Sequence, residues 1–216
     1  MGSIMKIAIV GGTGPFGRGL ALRLAMNNEV LIGSRDAEKA NQTAAELSKL
    51  SNKSIKGGSN ATVAGQGDIA ILAIPEVYNP AFFEELVHPL SNKLVISPIA
   101  PMKSFGGSFV HAKDAGLAAE TVASMLHQSR VVAAFHTLPA ATLANAARKI
   151  DFDVLVCADS KEIFEEVAKV IICMEGVRPL YAGPLKDARM VESLTPLLLN
   201  IAKLNNLKRL SIKFVS

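Results

Sequence analysis

Gly12, Gly14 and Gly17 stand in a G-x-G-x-x-G spacing within Gly11-Gly12-Thr13-Gly14-Pro15-Phe16-Gly17, directly after the apolar run Ile7 to Val10. Glycines so spaced let backbone come close. The first permits a tight turn, the second lets N–H groups reach a pyrophosphate, and the third lets a helix pack on a strand. Pro15 suits a first helical position, where its missing N–H would have no partner anyway. A phosphate placed there also meets the positive end of the helix dipole. The implied chemistry is the holding of a dinucleotide. With 16 glycines in 216 residues such a spacing can arise by accident, so the context must carry it.

That context is a second strand, Val30 to Gly33, ending where a dinucleotide fold meets the adenosine ribose. An NAD-binding chain places Asp or Glu there. Here Ser34 and Arg35 follow, Asp36 can cap the next helix, and Lys39 lies one turn beyond Arg35 on the same face. A hydroxyl and two cations suit a 2′-phosphate, which points to NADP. Charge-assisted bonds of roughly 1.5–3 kcal/mol each would give at least about a tenfold preference over NAD. The plainer alternative is that Arg35 and Lys39 are ordinary solvated charges.

The elements around these residues alternate between strand-like and helix-like, the pattern of a parallel sheet covered on both faces. A helix spans about Asp36 to Leu50, with Ala37, Ala40, Ala44 and Leu47 at helical spacing. A polar loop through Gly58 leads to a strand from Asp68 to Ile74. A helix near Pro80 to Val87 precedes a strand from Leu94 to Ser97. The loop from Pro98 to Ser108 is long enough to be functional. Ala118, Val122 and Met125 mark a helix, and a fifth strand runs from Val131 to Phe135.

Three strands leave the sheet through proline, at Ile74-Pro75, Ser97-Pro98 and His136-Thr137-Leu138-Pro139. A residue before proline is held extended, and carboxyl ends of parallel strands form the ligand crevice. These exits are expected to build an apolar wall for the nicotinamide, unless each proline only ends its strand. The fold expected is a Rossmann-type doubly wound α/β sheet over residues 1–150. A small C-terminal α/β lobe, residues 151–216, has short strands at Val154 to Cys157 and Val177 to Leu180 flanking a helix from Ser160 to Met174. It ends in a long apolar helix from Asp187 to about Leu204, kinked by Pro196. Met190, Leu194, Leu197, Leu198 and Ile201 give that helix three possible places: crevice wall, dimer interface or plain core.

Composition bounds the alternatives. No apolar run reaches the ~18–20 residues of a membrane span, and no signal-peptide pattern opens the chain; a cytoplasmic protein is expected. Cys157 and Cys173 lack metal or redox spacing and read as small hydrophobes in reducing surroundings. The net charge of +4 is unclustered and aromatics are 5%, unlike a nucleic-acid binder. His88, His111 and His127 read as ordinary surface residues.

The string Ile7 to Arg35 (IAIVGGTGPFGRGLALRLAMNNEVLIGSR), the turn His136-Thr137-Leu138-Pro139-Ala140, and Gly183-Pro184-Leu185 with Arg189-Met190-Val191-Glu192-Ser193-Leu194-Thr195-Pro196 resemble the archaeal F420H2:NADP oxidoreductase family. The resemblance implies reversible hydride transfer between NADP and the deazaflavin coenzyme F420 in one crevice, with no metal and no bound flavin. It implies that Thr13 to Phe16 hold the NADP phosphates, and that Ser34, Arg35 and Lys39 take the 2′-phosphate. His136, Leu138 and Ala140 would sit by the stacked rings, and Arg189, Ser193 and Thr195 on the deazaflavin side. The stretch Glu76-Val77-Tyr78 and the loop from Met102 to Val110 are not matched.

Direct hydride transfer needs ring-to-ring stacking at about 3–3.5 Å and no covalent nucleophile, so proximity supplies most of the catalysis. His136 reads either as an orienting donor or as a structural histidine. Arg189, near a helix start where the dipole disfavours it, suits a ligand phosphate, a cross-subunit carboxylate or solvent. Two other functions stay open. One is an NADPH-dependent reductase of a small imine, ketone or metal-bound acceptor, for which His136 is the candidate proton donor. The other is an NADP-binding redox sensor without turnover. A homodimer is expected through the C-terminal lobe.

Overall fold

The structure, a computed structural model, describes residues 4–74, 79–112 and 118–215. Side chains alternate along β1 (Lys6–Val10). Ile7 and Ile9 join one apolar cluster, Ala8 and Val10 the other. A strand buried on both sides belongs inside a parallel sheet with helices on each face. The helix α1 (Pro15–Leu24) covers the first face, and β2 (Glu29–Ser34) pairs parallel to β1 with Ile7 opposite Val30. The Asp36 carboxylate caps α2 (Ala37–Ser51), accepting from the N–H groups of Glu38 and Lys39 at 3.0 and 3.1 Å.

The stretch expected as a polar loop through Gly58 instead holds β3 (Ile55–Ser59) and then α3 (Asn60–Gln66). Ile-Lys-Gly-Gly-Ser has little strand propensity, so packing decides. A Cβ on Gly57 would lie 2.5 Å from the backbone of Ala40, so α2 crosses β3 at a distance only glycine permits. β4 (Ile69–Leu72), α4 (Pro80–Val87) and β5 (Leu94–Ser97) follow as the hydrophobic pattern predicts. The expected loop after Pro98 contains an antiparallel hairpin, β6 (Met102–Phe105) and β7 (Ser108–His111), turned by Gly106 and Gly107 at positive φ. Next come α5 (Ala118–Met125) and β8 (Arg130–Ala133). The six-stranded order β3-β2-β1-β4-β5-β8 is the doubly wound arrangement, with all its pairings parallel.

Beyond the short α6 (Ala140–Leu143), β9 (Phe152–Val156), α7 (Lys161–Ile171) and β10 (Val177–Tyr181) form a two-stranded parallel unit. An antiparallel bridge ties it to the sheet, Ala133 and Cys157 exchanging N–H···O bonds of 3.0 Å. Val154, Val156, Val167 and Val170 join the same cluster as Ile7 and Ile9, so the lobe and the sheet share a core. Burial pushes the Cys157 thiol up to about 11, and both cysteines are free.

The long C-terminal helix is two helices, α8 (Ala188–Glu192) and α9 (Leu194–Leu204), meeting at Ser193. Pro196 offers no N–H and its ring crowds the carbonyl four residues back, that of Glu192, so the ladder stops there. Pro196 is the one buried residue of α9, while Leu197 is 51% and Leu204 79% exposed. The plain core-helix alternative is thereby removed. Among the described residues no helix is long and apolar enough to cross a membrane.

Candidate functional site

The glycine loop follows β1, but its tight turn falls one residue earlier than the spacing suggests. Gly11 has φ +72°, and its N–H donates to Asn60 Oδ1 at 3.0 Å. Gly12 serves close approach instead, since a Cβ on Gly17 would lie 2.6 Å from the Gly12 Cα. A Cβ on Gly14 would meet nothing nearer than the Gly11 carbonyl at 4.0 Å, so this glycine faces open space. The first turn of α1 has no side-chain cap and no acidic residue. Its leading N–H groups are left for an anion, with the helix dipole behind them.

This loop borders a cavity of about 420 Å³ that gathers Thr13, Gly14, Ser34, Arg35, Lys39 and Ile74. Arg35 and Lys39 are exposed and pair with no acid among the described residues. The Ser34 hydroxyl accepts from the Asp36 N–H at 3.2 Å and keeps its own proton to donate. Asn60, Asn79 and Phe82 also line the cavity, and no sequence motif marks them. Asn60 opens α3, an element whose strand and helix the composition around Gly57 conceals.

A second cavity, of about 270 Å³, shares no lining residue with the first. It lies between the turn 136–141 and α9, lined by His136, Leu138, Ala140, Thr195, Leu198 and Ala202, with Arg209 and Leu210 from the C-terminal tail. Its walls are mostly aliphatic. The turn is aimed by Phe135, a buried residue at φ +72°, a conformation that costs a bulky side chain roughly 1–3 kcal/mol and persists only where the surroundings enforce it. Two contacts enforce the site. Thr195 Oγ1 donates to the His136 carbonyl at 2.8 Å, fixing α9 against the turn. The buried Arg23 guanidinium donates to the carbonyls of Leu143, Thr142, Asn145 and Arg148 at 3.3, 3.2, 2.8 and 3.0 Å, fastening the end of α6 and the segment after it onto α1.

His136 is 7% exposed, and neither ring nitrogen makes a hydrogen bond within the described residues. Burial pushes its pKa down to about 4, offset in part by the nearby Ile99 backbone, which lies outside hydrogen-bonding geometry. The ring is therefore neutral at pH 7 and holds unused hydrogen-bonding capacity.

Other sequence-predicted residues fall elsewhere. Gly12 and Gly17 are buried behind the turn. Pro15, Phe16, Ser97, Pro98, Arg189 and Ser193 line neither cavity, and Pro75 lies outside the described residues. Of the three proline exits, Ile74 borders the larger cavity and Pro139 the smaller, while Ser97 and Pro98 border neither. Ser97 is fully buried at the end of β5, its hydroxyl without a hydrogen-bond partner among the described residues. The Ser193 hydroxyl donates to the Arg189 carbonyl at 2.7 Å, while the Arg189 side chain is exposed without an ionic partner among the described residues.

His88 and His127 are exposed as expected, but His111 is not an ordinary surface residue. Its Nε2 lies 3.6 Å from the fully buried carboxylate of Glu192. That carboxylate also accepts from the N–H groups of Ala118 and Ala119 at 3.2 and 2.9 Å, holding the α8–α9 joint to the start of α5.

Residues 6–101 match the family model described as NADP oxidoreductase, coenzyme F420-dependent. The chain is 35% identical to the F420-dependent NADP reductase of Methanothermobacter thermautotrophicus, over 99% of its own length and 96% of that protein. It is 36% identical to the one from Methanocaldococcus jannaschii, over 91% and 92% of the two chains. A crystal structure from Arthrobacter sp. FB24, described as an F420-dependent NADP-reductase, superposes with a TM-score of 0.78 at 21% identity, covering 98% of this chain and 100% of that one. This last likeness is one of fold. Identity sustained along nearly the full length of the archaeal proteins decides the matter: the chain belongs to the F420-dependent NADP reductase family.

Proposed function

We propose that this chain catalyses reversible hydride transfer between NADP(H) and the deazaflavin coenzyme F420. The observation that carries this reading is the presence of two cavities of different chemistry. One is a phosphate cradle with free cations; the other is a largely aliphatic slot whose lining contains no acid and no thiol. Ser34, Arg35 and Lys39 hold the 2′-phosphate of NADP. Thr13, Gly14 and the leading N–H groups of α1, with Pro15 and Phe16 shaping that turn, hold its pyrophosphate. Ile74, just past the end of β4, backs the nicotinamide. The 136–141 turn and α9 receive the deazaflavin, with His136, Leu138, Ala140 and Thr195 around it and Arg189 and Ser193 at the neighbouring helix joint.

NADPH supplies the hydride, and one proton from solvent completes the reduced deazaflavin. The protein orients the two rings and excludes water, so proximity provides most of the rate. Neutral His136 acts by orientation and hydrogen bonding. With a pKa of about 4, only about one ring in a thousand is protonated at pH 7. That counts against the small-imine reductase alternative, which asks His136 to donate a proton.

Residues 151–216 work as a lobe that completes the deazaflavin slot. The exposed Leu197, Ile201 and Leu204 face of α9 pairs with a second copy of the chain, and the enzyme works in the cytoplasm. Mixing purified protein with NADPH and oxidised F420 tests the activity. Loss of the deazaflavin's visible absorbance is expected. Turnover of a ketone or imine instead would replace this reading with a small-substrate reductase, and NADPH binding without turnover of any acceptor with a sensor.

A further inference from the structure

After α9 the chain reverses at Asn206, φ +53°, with the Leu207 N–H bonded to the Ala202 carbonyl at 2.8 Å. It then runs back over the slot and is tied down at its far end. The Asp153 N–H donates to the Ile212 carbonyl at 2.8 Å, and the Phe214 N–H to Asp153 Oδ2 at 2.6 Å. Arg178 bridges Asp153 at 2.8 and 2.7 Å and the Phe214 carbonyl at 2.7 Å, and Lys213 pairs with Asp151. The Asp153 side chain is fully buried. A buried carboxylate that satisfies both the tail and the sheet makes this an anchored strap.

Between the two fixed ends sits Arg209, at φ +63°. A long side chain in that left-handed region is strained, and such strain is stored where the surroundings enforce a position. Arg209 is the one formally charged residue lining the slot, and it pairs with no acid among the described residues. The phosphates of NADP have their own cations in the other cavity. A largely aliphatic slot with a single guanidinium at its rim matches a flat ring carrying a detached anionic arm.

We propose that Arg209 is the binding group for the phosphodiester arm of the deazaflavin coenzyme, so that the C-terminal strap sets specificity for the full coenzyme over its ring system alone. This rests on the function proposed above. An arginine fork can grip phosphate oxygens through two parallel bonds, and a lysine cannot reproduce that geometry.

The test compares kcat/KM for F420 with that for the arm-less deazaflavin nucleoside lacking the phosphate, both with NADPH. In Arg209→Gln the ratio of the two values is expected to fall at least about tenfold, the effect of losing one charge-assisted pair. Arg209→Lys should recover part of that loss. Lys208→Gln, one residue away and outside the cavity lining, should keep the wild-type ratio. An unchanged ratio in Arg209→Gln, or an equal fall in Lys208→Gln, overturns the assignment to Arg209. If the wild-type enzyme reduces the arm-less deazaflavin but the ratio ignores Arg209, only this proposal fails. If it reduces neither deazaflavin, the proposed function fails and takes this with it.

Discussion

Arg35 and Lys39 line the larger cavity with Ser34 and pair with no acid among the described residues. Cations without a protein partner can give their full interaction to a ligand phosphate. Arg35→Ala is therefore expected to raise the KM for NADPH more than about tenfold while leaving NADH use nearly unchanged. Equal effects on both cofactors in steady-state kinetics would remove the 2′-phosphate assignment. His136 gives a prediction of opposite character, because its burial opposes charge. Its folded pKa of about 4 lies below the ordinary value of 6.5. Above pH 6.5 both folded and unfolded forms are neutral and the residue is silent. Below it the unfolded chain takes up the proton first, so stability falls as pH drops toward 4. By pH 5 this amounts to about 2 kcal/mol, or roughly 4–8 °C in Tm for a chain of this size. His136→Leu should shrink the Tm difference between pH 7 and pH 5 by about that amount; an undiminished difference would place the acid sensitivity elsewhere.

Elements were legible in the sequence where burial is continuous or a cap is local. β1, β2, β4 and β5 are apolar runs, and Asp36 announces α2 within its own first turn. They were illegible where distant packing makes the element. β3 depends on α2 touching Gly57, and the β6–β7 hairpin is gripped by Asn200, whose side chain accepts from the Phe109 N–H at 2.7 Å and donates to its carbonyl at 2.6 Å. The same holds within the site. Asn60 meets Gly11 across 49 residues and Arg23 meets Arg148 across 125, separations that no local pattern encodes. The glycine loop and the 136–141 turn stood out because their chemistry lies in consecutive residues. Arg23 is the element-scale test. Arg23→Leu strips donors from four carbonyls, two in α6 and two just beyond it, and should cost about 3 kcal/mol, lowering Tm by roughly 6–12 °C. A Tm within a degree of wild type would show that the turn is held by other contacts.

At the scale of the whole molecule, two features direct the chain outward. The C-terminal lobe shares an apolar core with the six-stranded sheet. Yet α9 leaves Leu197, Ile201 and Leu204 at 51, 37 and 79% exposure, more apolar surface than a helix needs for its own packing. Light scattering on the purified protein is expected to give the mass of two chains, and Leu204→Glu that of one. A wild-type monomer would return this face to solvent.

The two cavities are expected to bring two redox rings together so that hydride passes directly between them. The most direct measurement follows a label. NADPH carrying deuterium at the transferred position of the nicotinamide is reacted with oxidised F420 in ordinary water, and the reduced deazaflavin is analysed by mass spectrometry. The deuterium is expected on the deazaflavin at full transfer, with none acquired at that carbon when unlabelled NADPH reacts in heavy water. Label lost to solvent, or carbon-bound deuterium gained from it, would contradict direct transfer between the rings.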